Sequence, residues 1–410
     1  MSINPIIFQN PYKPGAGHMP PYLAGRENEI FEFQKIIEQK TILENLIITG
    51  LRGVGKTVLL ETLKPKAQIS NWLWLGTDLS ETVGLKEENL VRRLITDISI
   101  FTSNIKLESE IVKQFGFTES KEKIISSMNY IFLESVYEKT DGLTSDKLKA
   151  VLKIVWKYCD QMNIKGIVFA YDEAQNLYDN SKDGQYALSL LLDVFQSIQR
   201  QGIPFLLLLT GLPTLFPKLV DARTYAERMF HQLFLERLNE VESKKAILKP
   251  IEQSENNVMF NDKAVAEIIK LSGGYPYFIQ FICKEAFDIF LQSVNTGSDP
   301  VVPVKSIIRK LDTDFFSGRW ARATDKQREL LILISQLKNC DSEFSVIEIE
   351  EQSKSVSLKP FSKSSVNQLL SSLINIGLVY KNRFGKYSLA VPLLHQFIKR
   401  QLQDQESSDV

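Results

Sequence analysis

A glycine-rich segment between two apolar stretches is the feature that most constrains how this chain can fold. Residues 50–57 read GLRGVGKT and fit the pattern G-x-x-x-x-G-K-[ST] without a mismatch. The preceding NLIITG is typical of a short buried strand, and the following TVLLETLK has apolar residues at helical spacing. The order of strand, glycine-rich turn and helix predicts a loop whose backbone amides bind phosphate oxygens, rather than an ordinary connection.

The residue types of this loop predict ATP or ADP with Mg²⁺ as the ligand. Lys56 is expected to contact the β- and γ-phosphates, and the hydroxyl of Thr57 is expected to complete the coordination of Mg²⁺. The other loop residues expected at the nucleotide are Gly50, Arg52, Gly53, Val54, Gly55 and Val58.

A second apolar run, IVFAYDEAQNL, ends in two carboxylates. In a phosphate-loop enzyme, Asp172 would hold the Mg²⁺ shell and Glu173 would polarise the attacking water. The alternative is a strand end whose carboxylates cap the next helix. The intact phosphate loop upstream favours the catalytic interpretation, because the two halves of such a site occur together.

Three further residues lie where an oligomeric ATPase would need them. Thr210 ends the apolar run FLLLLT and is a candidate for orienting the water, or simply a strand end before a Gly-Leu-Pro turn. Arg223 and Arg228, in DARTYAERMF, are candidates for an arginine inserted into a neighbouring subunit. The alternative for both arginines is a solvated surface helix.

The order of the apolar runs predicts an α/β fold with a parallel sheet covered on both faces, a three-layer αβα arrangement. Strands are expected in NLIITG, NWLWLGTDLS, KGIVFAYDEAQNL, QGIPFLLLLTGLP and MFHQLFLERL. Residues 81–160 are charged and amphipathic, and their pattern predicts several inserted helices. From about residue 239 to 311 the pattern is helical.

The last part of the chain has the element order of a winged helix-turn-helix domain. Helices are expected in TDKQRELLILISQL, SVIEIEEQSK and KSSVNQLLSSLINIG, followed by a hairpin in LVYKNRFGKYSLAVP. Residues 325–400 contain eleven Lys and Arg against seven Asp and Glu, in a chain with 49 of each class. Candidate DNA contacts are Lys359, Lys363, Ser364, Ser365, Asn367, Lys381, Arg383 and Lys386.

Composition excludes several other classes of protein. The three cysteines and three histidines are scattered, so a disulfide framework, a zinc site or a histidine-based triad is not expected. The sequence has no unbroken apolar run long enough for a membrane helix and no signal-peptide pattern at its start, which predicts a cytoplasmic protein without membrane contact.

Together these motifs resemble the AAA+ ATPases, in the branch that contains origin-recognition initiators, STAND switches and transposition regulators. The resemblance rests on PYLAGRENEI, the phosphate loop, WLWLGTDLS, DEAQNL, TGLPTL, RTYAERMF and SGGYPYF in the family order. It implies that Gly25 and Arg26 meet the nucleotide and that Gly274 and Pro276 belong to a helical lid. It also implies that Arg228, before Arg223, is the arginine acting in a neighbouring subunit.

The resemblance divides the chain into an extended lead-in (1–23), an ATPase core (24–238), a lid (239–320), a winged-helix domain (321–400) and a disordered tail (401–410). Two departures from the family pattern concern catalysis. Thr210 stands where many relatives have Asn, and the first turn of the lid helix lacks an arginine, with Lys284 a distant substitute. Both departures favour slow hydrolysis and a switch.

Two functions from different classes are compatible with these features. The first is an ATP-switched protein that forms homo-oligomers on duplex DNA. The second is a STAND-type signalling ATPase that recruits or restrains a protein partner, for example an effector in anti-phage defence. A third interpretation is a nucleotide-binding protein that does not hydrolyse ATP.

Overall fold

The computed structural model describes residues 10–15, 17–115, 118–254, 258–296, 301–356, 359–382 and 385–408. The described helices are α1 (Glu27–Ile37), α2 (Lys56–Ile69), α3 (Glu81–Leu85), α4 (Glu87–Thr102), α5 (Tyr130–Lys139), α6 (Thr144–Gln161), α7 (Ala187–Gln199), α8 (Leu215–Ala222), α9 (Ala226–Met229), α10 (Glu240–Glu252), α11 (Asp262–Ser272), α12 (Pro276–Thr296), α13 (Val304–Leu311), α14 (Ser317–Trp320), α15 (Asp325–Gln336), α16 (Val346–Val356), α17 (Lys363–Asn375) and α18 (Leu394–Ser408).

Within the described residues, the strands form one large sheet and three hairpins. They are β1 (Asn45–Gly50), β2 (Trp72–Leu75), β3 (Lys106–Phe115), β4 (Thr118–Ser127), β5 (Gly166–Tyr171), β6 (Asp179–Asn180), β7 (Gln185–Tyr186), β8 (Phe205–Gly211), β9 (Phe230–Leu235), β10 (Val379–Lys381) and β11 (Tyr387–Leu389). A π-helical turn, Asp312–Phe316, separates α13 from α14.

The large sheet is the predicted parallel sheet. Its five strands run in the order β2-β5-β8-β1-β9, and every neighbouring pair is parallel. All five predicted strands are present. The inner strands β1, β5 and β8 are fully buried, as their mainly apolar runs predict, and the edge strand β9 is only partly buried. β8 lies between β1 and β5, so the carboxyl ends of these three strands meet at one edge of the sheet. The phosphate loop leaves the sheet at this edge.

Two hydrophobic cores cover the two faces of the sheet and confirm the three-layer arrangement. One contains Ile47 of β1 together with residues of α4, α6 and α7. The other contains Leu46 and Ile48 with residues of α1 and α2. Alternate residues of β1 therefore point into opposite layers, as the two-residue period of a strand requires.

The prediction of helices alone for residues 81–160 is wrong in one segment. Helices α3 to α6 are present, but β3 and β4 between them form an antiparallel hairpin, with Lys106 paired to Ser127 and Phe115 to Thr118. The segment KLESEIVKQF alternates between apolar and polar residues over only part of its length, and its many charges resemble those of a solvated helix. Strand pairing with the following segment outweighs this local pattern.

The C-terminal part contains the predicted helices and hairpin. Helix α15 begins at a capping box, in which the backbone N–H of Thr324 donates to the side chain of Gln327 at 2.8 Å. Helices α16 and α17 follow, and β10 pairs with β11 as an antiparallel hairpin. Residues of the lead-in, of the lid helices and of this part share one hydrophobic core, which contains Tyr12, Ile247 and Ile398. The lid helices and the C-terminal helices therefore pack against each other.

The end of the chain differs from the expected disordered tail. Helix α18 continues to Ser408, so the residues from 401 to that position are helical. Of the lead-in, residues 1–9 lie outside the described part, and residues 10–15 follow an extended path over the lid. None of the described helices has the length and apolarity needed to cross a membrane.

Candidate nucleotide site

The phosphate loop (residues 50–57) connects the carboxyl end of β1 to the first turn of α2. Gly53 and Gly55 have φ angles of 79° and 94°, which side chains with a Cβ rarely adopt. A Cβ placed on Gly55 would have no atom within 4 Å, so the loop faces open space there. Because the amides of the loop and the positive end of the α2 dipole face the same space, this geometry fits an anion.

The ammonium group of Lys56 lies within the phosphate loop. Its Nζ donates to the carbonyl oxygens of Gly50 at 2.9 Å and Leu51 at 3.0 Å. Burial lowers the pKa of Lys56 below its ordinary value, an effect that the negative charges of Asp172 and Glu173 oppose. An ammonium group has three N–H donors, so the geometry leaves one for a phosphate oxygen.

Thr57 and Asp172 are in contact although 115 residues separate them in the sequence. Oγ1 of Thr57 donates to Oδ2 of Asp172 at 2.5 Å. The other carboxylate oxygen accepts hydrogen bonds from the backbone N–H of Glu173, at 2.8 Å, and from the hydroxyl of Thr210. These three donors fix the orientation of the Asp172 carboxylate at the edge of the sheet.

The donor set fits a magnesium ion held jointly with a nucleotide. Mg²⁺ prefers oxygen ligands and is usually bound through one or two protein oxygens together with substrate phosphates and water. Thr57 lines the cavity, and the Asp172 carboxylate is buried directly behind it. These two residues would hold the ion, and the phosphates would complete its coordination.

Thr210 has a different environment from the one that the sequence analysis expects. Its side chain is fully buried and donates to Asp172, so it faces the carboxylate and not the cavity. The reason is topological: β8 lies between β1 and β5, which places the end of β8 beneath the contact between Thr57 and Asp172. In this geometry Thr210 donates to Asp172 and does not line the cavity.

Glu173 faces the cavity from a strained position. Its φ of 51° is in the left-handed region, which non-glycine residues seldom occupy, and its side chain lines the cavity. The carboxylate accepts a hydrogen bond from the side chain of Gln175. Strain at a cavity-facing carboxylate is typical of catalytic positions, where the surrounding structure enforces the conformation.

The cavity in front of the phosphate loop has a volume of about 590 Å³. Of the sequence-predicted residues, it is lined by Arg26, Arg52, Gly53, Val54, Gly55, Lys56, Thr57, Val58, Glu173 and Pro276. Residues of the lead-in form another wall, and the backbone N–H of Lys13 donates to the side chain of Gln280 on α12 at 3.2 Å. The cavity is therefore enclosed by the core, the lead-in and the lid.

Arg26 connects the phosphate loop to the sheet. Its Nη2 donates to the carbonyl oxygens of Val54 at 3.0 Å and Glu236 at 2.8 Å, and the side chain is buried. Burial lowers the pKa of its guanidinium below the ordinary value. Arg26 thus supports the shape of the loop and also lines the cavity.

Gly25, Gly50 and Gly274 were predicted at the nucleotide site but do not line the cavity; they pack against neighbouring elements. A Cβ on Gly25 would lie 2.8 Å from the Glu242 side chain, and one on Gly50 would lie 2.7 Å from the Leu235 carbonyl oxygen. At Gly274 the φ is 78°, and its carbonyl oxygen accepts a hydrogen bond from the backbone N–H of Leu238 at 2.8 Å. These positions need glycine for close packing between elements.

Arg223 and Arg228 lie away from the cavity of their own chain. Arg223 forms a bidentate ion pair with Asp193, at 2.9 Å and 2.7 Å, and the Tyr225 hydroxyl donates to the same carboxylate. Arg228 is exposed, in a surface depression beside the amino-terminal end of β9. Because its guanidinium is held by its own chain, Arg223 is poorly suited to reach a neighbour, whereas Arg228 is accessible.

The sequence analysis missed several residues that the structure brings to the site. Asp78 follows β2 and forms a backbone bridge with Asp172; burial and the charges of Asp172 and Glu173 raise the pKa of its carboxyl. Asp78 ends the apolar run WLWLGTD, and a carboxylate at the end of such a run could have predicted it as a site residue. Tyr277 and Arg319 also line the cavity. Tyr277 lies in the quoted motif SGGYPYF, whereas the sequence around Arg319 contains no motif.

Comparison with known proteins supports the fold. The model of a family described as "Domain of unknown function (DUF8462)" matches residues 313–398, and no curated protein matches the chain. The Walker-type ATPase PABY2304 of Pyrococcus abyssi is similar over 92% of this chain and 96% of its own, at 16% identity and a TM-score of 0.58.

The ORC2 protein of Aeropyrum pernix is similar in two nucleotide states. Its ADPNP–ADP complexes match over 96% of this chain and 98% of their own, at 15% identity and a TM-score of 0.52. Its ADP form matches over 96% and 97%, at 13% identity and a TM-score of 0.53. At these identities the likeness concerns the fold alone, which is a three-layer αβα fold of the P-loop type with a C-terminal helical domain.

Proposed function

We propose that this protein is a slow ATPase that acts as an ATP-dependent switch. The observation that carries the proposal is the contact between Thr57 and Asp172 beside a loop-lined cavity that contains Lys56 and Glu173. The AAA+ fold supports it, because this fold places a triphosphate at the same edge of the sheet. Release of phosphate from ATP with Mg²⁺ present is the direct assay, and a protein that neither binds nor hydrolyses ATP would contradict the proposal.

The side chains have separate roles in this proposal. Lys56 and the loop amides bind the β- and γ-phosphates and stabilise the charge that develops on them during transfer. Asp172, oriented by Thr210 and by the Glu173 amide, holds the metal shell together with Thr57. The metal, when bound, neutralises phosphate charge. Glu173 accepts the proton of the attacking water, and Arg26 maintains the shape of the loop.

The proposed ATPase forms homo-oligomers in which Arg228 contacts the nucleotide of a neighbouring subunit. Arg228 is exposed, and it lies by the amino-terminal end of β9, whereas the phosphate loop is at the carboxyl end of the adjacent β1. An arginine at the opposite edge of the sheet can only serve a nucleotide bound to another chain. Such an arginine would add positive charge to the phosphates during transfer.

We further propose that the C-terminal part is a winged helix that contacts duplex DNA. Lys363, Ser364 and Asn367 are exposed in the first turns of α17, and Lys381 and Lys386 are exposed on the hairpin. Ser362 caps α17 by accepting a hydrogen bond from the backbone N–H of Ser365 at 3.2 Å. Arg383, also a predicted contact, lies outside the described residues. The exposed cations suit phosphate binding.

Reversing two charges on the hairpin is expected to weaken DNA binding. Each lysine that contacts a phosphate contributes about one unit to the slope of log affinity against log salt. Lys381→Glu with Lys386→Glu should therefore lower duplex affinity by about tenfold or more and reduce the slope by about two. Fluorescence anisotropy of a labelled duplex, titrated at several salt concentrations with ATP present, measures both quantities.

A charge-matched control separates local contacts from net charge. Lys153→Glu with Lys157→Glu makes the same change on exposed positions of α6 in the core. It should leave DNA binding close to that of the wild type. Equal weakening by both double variants, or no duplex binding by the wild type, would contradict the DNA proposal.

The second candidate function is a signalling ATPase of the STAND type, with a protein partner such as a defence effector. The observation that favours it is the exposed surface of α17, which carries one lysine and no arginine among otherwise uncharged residues. In this case ATP would change a protein complex, and the hairpin charges would have no effect on duplex binding.

A further inference from the structure

Two arginines from distant parts of the chain converge on the cavity. Arg52 belongs to the phosphate loop, and Arg319 belongs to α14, which precedes the C-terminal helices. Both side chains line the cavity, together with Phe315 and Tyr277. Arg319 lies within the part of the chain that matches the family of unknown function. The nucleotide cavity is thus completed by the segment that leads into the C-terminal part.

The surroundings of the two arginines favour an anionic ligand. The guanidinium of Arg319 stacks on the ring of Phe315, 4.0 Å from its centroid, and donates to the Phe315 carbonyl oxygen. Within the described residues, neither Arg52 nor Arg319 forms an ion pair, although Asp314 also lines the cavity. Burial, and then the positive charge of Arg52, lower the pKa of Arg319. Two like charges facing one cavity repel each other, and an anion bound between them offsets this repulsion.

The segment that carries Arg319 is packed between the lid and the last helix. We call residues 312–320 the joining segment. Phe316 stacks on Phe397 of α18 with ring centroids 5.4 Å apart, and Phe315 meets Phe278 of α12 at 5.0 Å. Nε of Arg400 donates to Asp312 at 2.9 Å. A displacement of Arg319 would therefore change the contacts that the joining segment forms with α12 and α18.

Arg52 of the phosphate loop also lies close to Gly377, in the turn before β10. A Cβ placed on Gly377 would lie 3.5 Å from Nη2 of Arg52. The phosphate loop is therefore adjacent to the C-terminal part at two places, through Arg52 and through the joining segment. Of the residues at these two places, Arg52 and Arg319 line the cavity that also contains Lys56.

We propose that Arg319, together with Arg52, binds the terminal phosphate of ATP and thereby couples the nucleotide state to the C-terminal part. The proposal rests on the proposed function, because it takes ATP as the ligand of the cavity. Arg319 supplies the cation that the first turn of α12 lacks. Loss of the γ-phosphate removes the anion between the two guanidinium groups, so they repel and the joining segment loosens from the loop.

The test compares the affinities of ATP and ADP in three variants. A hydrogen bond to a charged group contributes about 1.5–3 kcal/mol, so Arg319→Ala should weaken ATP binding by about tenfold or more and ADP binding by less. Arg319→Lys should recover part of the ATP affinity because it keeps the charge. Arg322→Ala is the matched control, since Arg322 is exposed and only three residues away. Isothermal titration with Mg²⁺ gives all the affinities.

Hydrogen exchange provides a second measurement, which does not depend on the affinity of the variant. In the wild type and in Arg322→Ala, saturating ATP should protect the amides of residues 312–320 more than saturating ADP does. In Arg319→Lys or Arg319→Ala this difference should fall by at least about half. Equal protection by the two nucleotides in the wild type would overturn the coupling.

The outcomes separate this proposal from the proposed function. If the wild type binds no nucleotide, the proposed function fails. Suppose that the wild type binds ATP. If the ATP affinity of Arg319→Ala then changes by less than threefold, or if the variant loses ATP and ADP affinity equally, Arg319 does not bind the terminal phosphate. A larger loss for ATP than for ADP, absent in Arg322→Ala, supports the proposal.

Discussion

Lys56→Ala is expected to abolish measurable ATP binding, with a loss of affinity of at least about a hundredfold. The ammonium group lies inside the phosphate loop, 2.9 Å from the Gly50 carbonyl oxygen, where it is placed to form a charge-assisted hydrogen bond with a phosphate. Its removal takes away a cation that the loop holds through two of its carbonyl oxygens. Isothermal titration of ATP with Mg²⁺ into the wild type and the variant measures the change.

A second lysine on the same helix is the control for this experiment. Lys64→Ala removes a positive charge from α2 at a partly exposed position away from the loop. Its ATP affinity should stay within about threefold of the wild type, and thermal unfolding of both variants checks that the core is intact. Unchanged ATP affinity in Lys56→Ala would mean that the loop does not bind the nucleotide.

Glu173→Gln is expected to leave ATP binding nearly unchanged and to lower hydrolysis by at least about a hundredfold, the effect expected for removal of a general base. Glu173 faces the cavity, whereas Asp172 beside it is buried and held by three donors. The substitution keeps the shape of the side chain and removes its ability to accept a proton. Phosphate release under saturating ATP measures hydrolysis, and titration measures binding.

The same variant distinguishes a switch that hydrolyses ATP from a protein that only binds it. Equal slow turnover in the wild type and Glu173→Gln would show that Glu173 is not the base.

Mixing Glu173→Gln with Arg228→Ala subunits tests the oligomer, because each chain then supplies the residue that the other lacks. Restored turnover in the mixture supports a role of Arg228 in a neighbouring subunit; no restoration argues against it.

The sheet was predictable because its signal is local. The inner strands β1, β5 and β8 are mainly apolar and fully buried, so their pattern leaves little ambiguity, whereas the edge strand β9 is only partly buried. The contact between Thr57 and Asp172 was predictable for the same reason. Residues at the carboxyl ends of parallel strands in one sheet meet at one edge, once the strands are identified.

The remaining features depend on strand order and on packing between distant segments. Thr210 orients Asp172 because β8 lies between β1 and β5, an order that the sequence does not encode locally. Arg223 could be distinguished from Arg228 only when its pair with Asp193, 30 residues away, was visible. Arg319 lies in SGRW, a stretch without a motif, and reaches the cavity because aromatic residues fix the joining segment against α12 and α18.

The central claim is that the phosphate loop and the acid at the end of β5 form one site for a triphosphate and its metal. A crystal structure with a non-hydrolysable ATP analogue and Mg²⁺ tests it most directly. The claim predicts phosphate oxygens within hydrogen-bond distance of Lys56 Nζ, and the ion bound to Thr57 Oγ1 on the side facing Asp172. An analogue bound elsewhere, or an empty loop at saturating analogue, would contradict it.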